Sequence, residues 1–133
     1  MAGVTDLKRF FEDAVKSSNG SFIALTKELL QGTPEEKPDG SDALSPLGLI
    51  TQDTPPILVI HGDKDKGVYP QQSILLDQKL TAVGVIHKLL ILRGVGHTDQ
   101  IPQKGKVIFD FLDSILKKTG GAPSPCPWGL KGL

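Results

Sequence analysis

Apolar and polar positions along the chain fall into blocks of different period. Leu7, Phe10, Phe11, Ala14 and Val15 recur at helical spacing and predict a first helix, with Thr5 or Asp6 as the capping residue. Ser18-Asn19-Gly20 breaks the pattern as a turn. A second helix follows, capped by Ser21, with Phe22, Leu25 and Leu29 on one face and Gly32 as its stop. Residues 33–42 are polar, with Pro34, Pro38 and Gly40, and predict a loop, while the short apolar stretch 43–50 around Ser45-Pro46 has no deciding period. Pro55-Pro56 leads into a continuous apolar run at 57–60, the pattern of a strand covered on both faces, as in parallel sheets. An acidic loop ends that run. Pro70 then suits the first position of a helix whose face carries Ser73, Leu76, Leu80 and Val83, and which Gly84 stops. Residues 85–93 form a second strand, so that strand, helix and strand make a right-handed βαβ unit. A last helix spans about 104–118, directing Ile108, Phe111, Leu112 and Ile115 to the core and placing Lys117 and Lys118 at the negative end of its dipole. The 119–133 stretch, rich in Gly and Pro and without period, is expected to be a disordered tail beyond a domain of residues 1–118.

Composition narrows the partners. Fifteen basic residues balance fifteen acidic ones with no block of one sign, so nothing marks a nucleic-acid or anionic-membrane surface. The single cysteine, Cys126, excludes an intrachain disulfide and a cysteine-rich zinc site. The first residues lack the charged-then-apolar order of a secretory signal, and no apolar run nears the ~18 residues of a membrane span, which makes a cytoplasmic location the expectation.

Chemistry concentrates where the two strands end. In an open α/β sheet, ligands and reacting groups collect on loops at the carboxyl ends of strands. The first strand ends in His61-Gly62-Asp63-Lys64-Asp65 and the second in Gly94-Val95-Gly96-His97. The alternating aspartates invite a calcium reading, but an EF-hand loop needs Gly at its sixth and Glu at its twelfth position, and Val68 and Ile74 stand there. Gly94-Val95-Gly96 begins like a dinucleotide fingerprint, yet the third glycine would fall on Asp99. No cofactor or metal is called for. His87, early in a strand, is read as a surface or packing residue, and His61, at a strand end, as structural. His97 follows two glycines in a loop, where the backbone can approach a substrate closely. Asp65 and His97, on adjacent loops that can meet, are read as two thirds of a catalytic triad.

These motifs resemble the C-terminal part of the α/β-hydrolase fold, in the branch of small esterases and prolyl-oligopeptidase-like enzymes. That family's pattern PPxLxIHGxxDxxVPxxQS is similar to PPILVIHGDKDKGVYPQQS from Pro55 to Ser73, and its later GxGH to Gly94-Val95-Gly96-His97. Gly3-Val4-Thr5-Asp6-Leu7 and Ala43-Leu44-Ser45-Pro46 also look like the family's, and the resemblance covers roughly residues 3–117. It implies that Asp65 is the triad acid, that His97 is the general base and that Asp63 shapes the loop. Lys66-Gly67 stands where the family often has Pro-Val, which predicts a looser acid loop.

The family's nucleophile sits in a G-x-S-x-G elbow, and that motif is absent from the chain. In a serine protease, loss of the nucleophile alone costs on the order of a millionfold in turnover. The expectation is therefore a partial α/β-hydrolase domain, its last two parallel strands with flanking helices. It would supply acid and base to the hydrolysis of a small-molecule carboxylic ester when complemented by an N-terminal half, and be inactive alone. A non-catalytic remnant or binding module is the alternative. A sheet edge left open in such a half predicts self-association.

Overall fold

The computed structural model describes residues 3–97 and 104–118; the expected tail lies outside the described residues. The order of elements is α1 (Leu7–Lys16), α2 (Gly20–Leu30), α3 (Pro38–Ala43), a 3-10 turn (Pro46–Leu49), β1 (Ile57–Gly62), α4 (Gln71–Val83), β2 (His87–Leu92) and α5 (Lys104–Lys118). The chain divides into two compact units, Met1–Ile101 and Pro102–Leu133.

In the first unit, α1 starts where the Asp6 carboxylate accepts from the Arg9 amide at 2.9 Å, and it buries Leu7, Phe10, Phe11 and Ala14. Asn19, not Ser21, caps α2 through the Phe22 amide. The predicted face of α2 is corrected too: Thr26 and Leu30 are buried, whereas Leu25 and Leu29 are each 55% exposed. Phe22 decides this, because its ring packs against Phe10 at 5.1 Å between centroids and brings positions four and eight residues on to the same side. Within the stretch expected to be loop, α3 forms with Pro38 in its first turn, where a missing amide loses no bond. Leu7, Phe10, Leu30 and Val68 make one core cluster, with Val4 and Phe22 against it. Val68 belongs to the acid loop, so the helical core anchors that loop.

The strands β1 and β2 pair in parallel, from Ile57 opposite His87 to Gly62 opposite Leu92. With α4 between them in sequence, this is the α/β arrangement expected: a small parallel core sheet flanked by helices. Residues 57–60 are half-buried rather than covered on both faces. Gly84 ends α4 in the left-handed region, φ 75°, where the lack of a side chain removes the steric cost. The second unit holds α5, whose expected apolar face is corrected: Val107, Phe111 and Ile115 are half-buried, whereas Ile108 and Leu112 are exposed. No described helix is long and apolar enough to cross a membrane.

Candidate active site

The register of the two strands sets the site. Because Gly62 lies opposite Leu92, the loops leaving both strands run side by side. The Asp63 amide donates to the Leu92 carbonyl and the Lys64 amide to the Val95 carbonyl, each at 2.9 Å. The Asp63 carboxylate accepts from the Gly94 amide at 2.6 Å and joins the two loops a third time. Gly62 permits this approach: a Cβ there would stand 2.1 Å from the Val95 carbonyl oxygen.

Asp65 is buried at the centre of this loop pair. Its Oδ1 accepts from the amides of Gly67 and Val68, both at 2.9 Å. Its Oδ2 faces two imidazoles, His97 Nδ1 at 2.9 Å and His61 Nε2 at 3.1 Å. Burial acts to raise the pKa of Asp65, but the hydrogen bond from His97 and those from the Val68 and Gly67 amides together outweigh it and hold the carboxyl below its ordinary value. The looser acid loop expected from Lys66-Gly67 is corrected by these two amides. The small residue also makes room for His97, since a Cβ on Gly67 would come within 3.1 Å of its ring.

The tautomers follow from the partners. The Val68 carbonyl only accepts, and His61 Nε2 lies 2.8 Å from it, so Nε2 carries the proton and shares it between Val68 and Asp65. In the neutral ring Nδ1 is then an acceptor. Ser73, on the first turn of α4, places its Oγ 2.5 Å from that nitrogen and donates to it. Ser73, His61 and Asp65 thus form a complete hydrogen-bonded Ser–His–Asp set. This overturns the expectation of a chain without a nucleophile, and with it the picture of an acid and a base with nothing to attack.

The set is enclosed, with Ser73 3% and His61 1% exposed. The side chain of His97 is 39% exposed. Its Nδ1 faces a carboxylate and carries the proton in the neutral ring, which leaves Nε2 as the acceptor. Asp65 therefore joins a buried Ser–His pair to an imidazole at the surface.

Sequence reasoning set His61 aside as structural and placed Ser73 on the apolar face of α4. The signal that could have found them was their spacing: one residue ends β1 and the other opens the helix that crosses back over it. His87 makes contacts of its own, 3.2 Å from the Asp77 carboxylate and 2.7 Å from the Val85 carbonyl. Among the described residues no group of three or more His, Cys, Asp or Glu side chains is placed to hold a metal ion.

A parallel α/β unit that gathers a serine, two histidines and an aspartate at the carboxyl end of its strands has the architecture of the α/β-hydrolase class. More narrowly, the chain belongs to the BD-FAE family, whose model matches residues 1–80 and so includes His61, Asp65 and Ser73. Among curated proteins it is 36% identical over 78 residues to the uncharacterized peptidase YtmA of Bacillus subtilis (strain 168), a match covering 59% of this chain and 28% of that protein. Among solved structures it is similar to a truncated form of a carbohydrate esterase from gut microbiota, with 32% identity, a TM-score of 0.56, and coverage of 62% of this chain and 30% of that one. It is also similar to an acetyl ester-xyloside bifunctional hydrolase from Caldicellulosiruptor lactoaceticus, with 25% identity, a TM-score of 0.64, and coverage of 84% and 39%. The chain thus spans between about a quarter and two fifths of the length of these relatives.

Proposed function

We propose that this chain carries the catalytic residues of a serine hydrolase acting on carboxylic esters. The observation that carries the reading is the shared carboxylate: Asp65 Oδ2 holds His61 of the Ser–His–Asp set and the surface imidazole of His97 together. In this mechanism the Ser73 hydroxyl gives its proton to His61 Nδ1 as Oγ attacks the ester carbonyl. The imidazolium so formed is stabilised by Asp65, the role of the aspartate in other Ser–His–Asp sites, with the ring reversed: here Nδ1 faces the serine and Nε2 the carboxylate. His61 returns that proton to the leaving alcohol oxygen as the ester C–O bond breaks and the acyl–Ser73 ester forms. His97, on the same carboxylate with Nε2 as acceptor, then takes a proton from the water that attacks the acyl group and returns it to Ser73 Oγ as the acid departs. The carbohydrate esterase and the acetyl ester-xyloside hydrolase among the similar structures support esters, of carbohydrates in particular, over peptides.

Labelling with a fluorophosphonate, alongside turnover of nitrophenyl acetate and of an amino-acid anilide, tests the proposal. The expected outcome is ester turnover above that on the anilide, with labelling lost in Ser73→Ala and strongly reduced in Asp65→Asn and His97→Ala. Labelling that persists in Ser73→Ala would remove that residue from the nucleophile's role, and indifference to His97→Ala would remove His97 from the site.

Self-association is part of the same proposal. Among the described residues the sheet has two strands, so the outer edge of each carries main-chain groups open to another strand. Sedimentation velocity should show a concentration-dependent dimer, and a monomer at every concentration would refute it.

A further inference from the structure

The neighbour of Ser73, Gln72, is completely buried, and its side chain points away from the catalytic set toward the start of α1. Its Oε1 accepts from the amides of Thr5 and Asp6, both at 2.8 Å, and its Nε2 donates to the Asp6 carbonyl at 3.1 Å. The Thr5 hydroxyl donates to the Gln72 main-chain carbonyl at 2.8 Å. The orientation of the amide is fixed by its partners, since two N–H groups must face oxygen and a carbonyl must face the NH2 group. One side chain thus clasps two segments that lie 67 residues apart in sequence.

The helix it belongs to needs such an anchor. Pro70 occupies the cap position of α4 and no side chain caps that end. The first turn, which carries Ser73, is held from outside by Gln72. At the other end of the clasp, the Leu7 amide donates to Ser45 Oγ, which in turn donates to the Ser41 carbonyl, so the start of α1 is itself fixed.

From this arrangement we infer that Gln72 is a positioning residue, which sets the distance between Ser73 Oγ and His61 Nδ1 by fastening the first turn of α4 to the Thr5-Asp6 segment. The inference rests on the Ser73–His61–Asp65 geometry of the proposed site and acts through Ser73. Glutamate is the informative replacement. As a carboxylate it accepts from both amides, but it sets an oxygen against the Asp6 carbonyl where an NH2 group donated. A protonated carboxyl restores that donor. The Gln72→Glu protein should therefore lose the clasp where that carboxyl is ionised and regain it as acid protonates it, whereas an inert packing role would give no such return.

The experiment reads the ring-nitrogen NMR resonances of His61 in the full chain between about pH 5 and pH 9, a window that spans the raised range of a buried glutamate. Gln72→Glu and the milder Thr5→Val are each compared with the parent at the same pH, and Thr26→Val serves as an equally buried control. Among the described residues the Thr26 hydroxyl bonds within α2, to the Phe22 carbonyl. The expected result is a shift of His61 Nδ1 away from its hydrogen-bonded position in both clasp variants, reversed by acid in Gln72→Glu alone, with no shift in Thr26→Val. His61 resonances that match the parent in Thr5→Val and Gln72→Glu would overturn the inference. Turnover is not part of the readout, so shifted resonances in a chain that a phosphonate fails to label would sink the proposed reaction and leave the clasp standing.

Discussion

Replacing Gly62 with alanine tests the loop pair that forms the site. The added Cβ would stand 2.1 Å from the Val95 carbonyl oxygen, 2.6 Å from its carbon and 3.0 Å from the Val95 Cβ. Ordinary carbon–oxygen contacts lie near about 3.3–3.6 Å, so the 94–97 loop must retreat by more than about 1 Å. That retreat breaks the Lys64-to-Val95 hydrogen bond and strains the Asp63-to-Gly94 bond, now 2.9 and 2.6 Å. Two bonds at about 0.5–1.5 kcal/mol each, with about 1–3 kcal/mol for overpacking, give a loss of about 2–6 kcal/mol. Against a domain stability of about 5–15 kcal/mol, this is large enough to move a urea midpoint well outside error. Gly48→Ala is the control, because nothing closer than 3.7 Å would meet its Cβ, and it should stay within about 0.5 kcal/mol of the parent. The same displacement should weaken the nuclear Overhauser contact between Gly67 and the His97 ring. A Gly62→Ala protein with the parental urea midpoint and an intact Gly67–His97 contact would refute this packing of the two loops.

Other outcomes follow from the same geometry. Gly67→Ala brings a Cβ to 3.1 Å from the His97 ring, so phosphonate labelling should slow while the urea midpoint changes little. Val68→Ala removes two methyl groups from the core cluster and should cost about 1.5–2 kcal/mol in urea unfolding. The pKa of Asp65 is lowered on folding, so its contribution to stability is fully present above the unfolded aspartate value of about 3.9 and is lost as pH falls through the lower folded value. Acid unfolding of Asp65→Asn should lack that component, and a parental acid limb in the variant would remove Asp65 from the linkage.

The order and type of the principal elements were legible in the sequence because local spacing dictates them. Leu7, Phe10, Phe11 and Ala14 follow the spacing of a helix face, and the unalternating run before His61 pointed to a strand, though one covered on both faces where the structure leaves it half-buried. Two strands with a helix between them also place both loops at the same end of the sheet, so the approach of Asp65 and His97 needed no tertiary detail. Other features depended on how elements rotate and cross. Thr26 and Leu30, rather than Leu25 and Leu29, face inward because Phe22 meets Phe10, and one residue's rotation of a helix, about 100°, exchanges one face for another. Ser73 looked like one more residue on an apolar face. Its bond to His61 arises only because α4 crosses back over the end of β1 with Gln72 fastened to Thr5 and Asp6, contacts between residues far apart in sequence that no local period encodes.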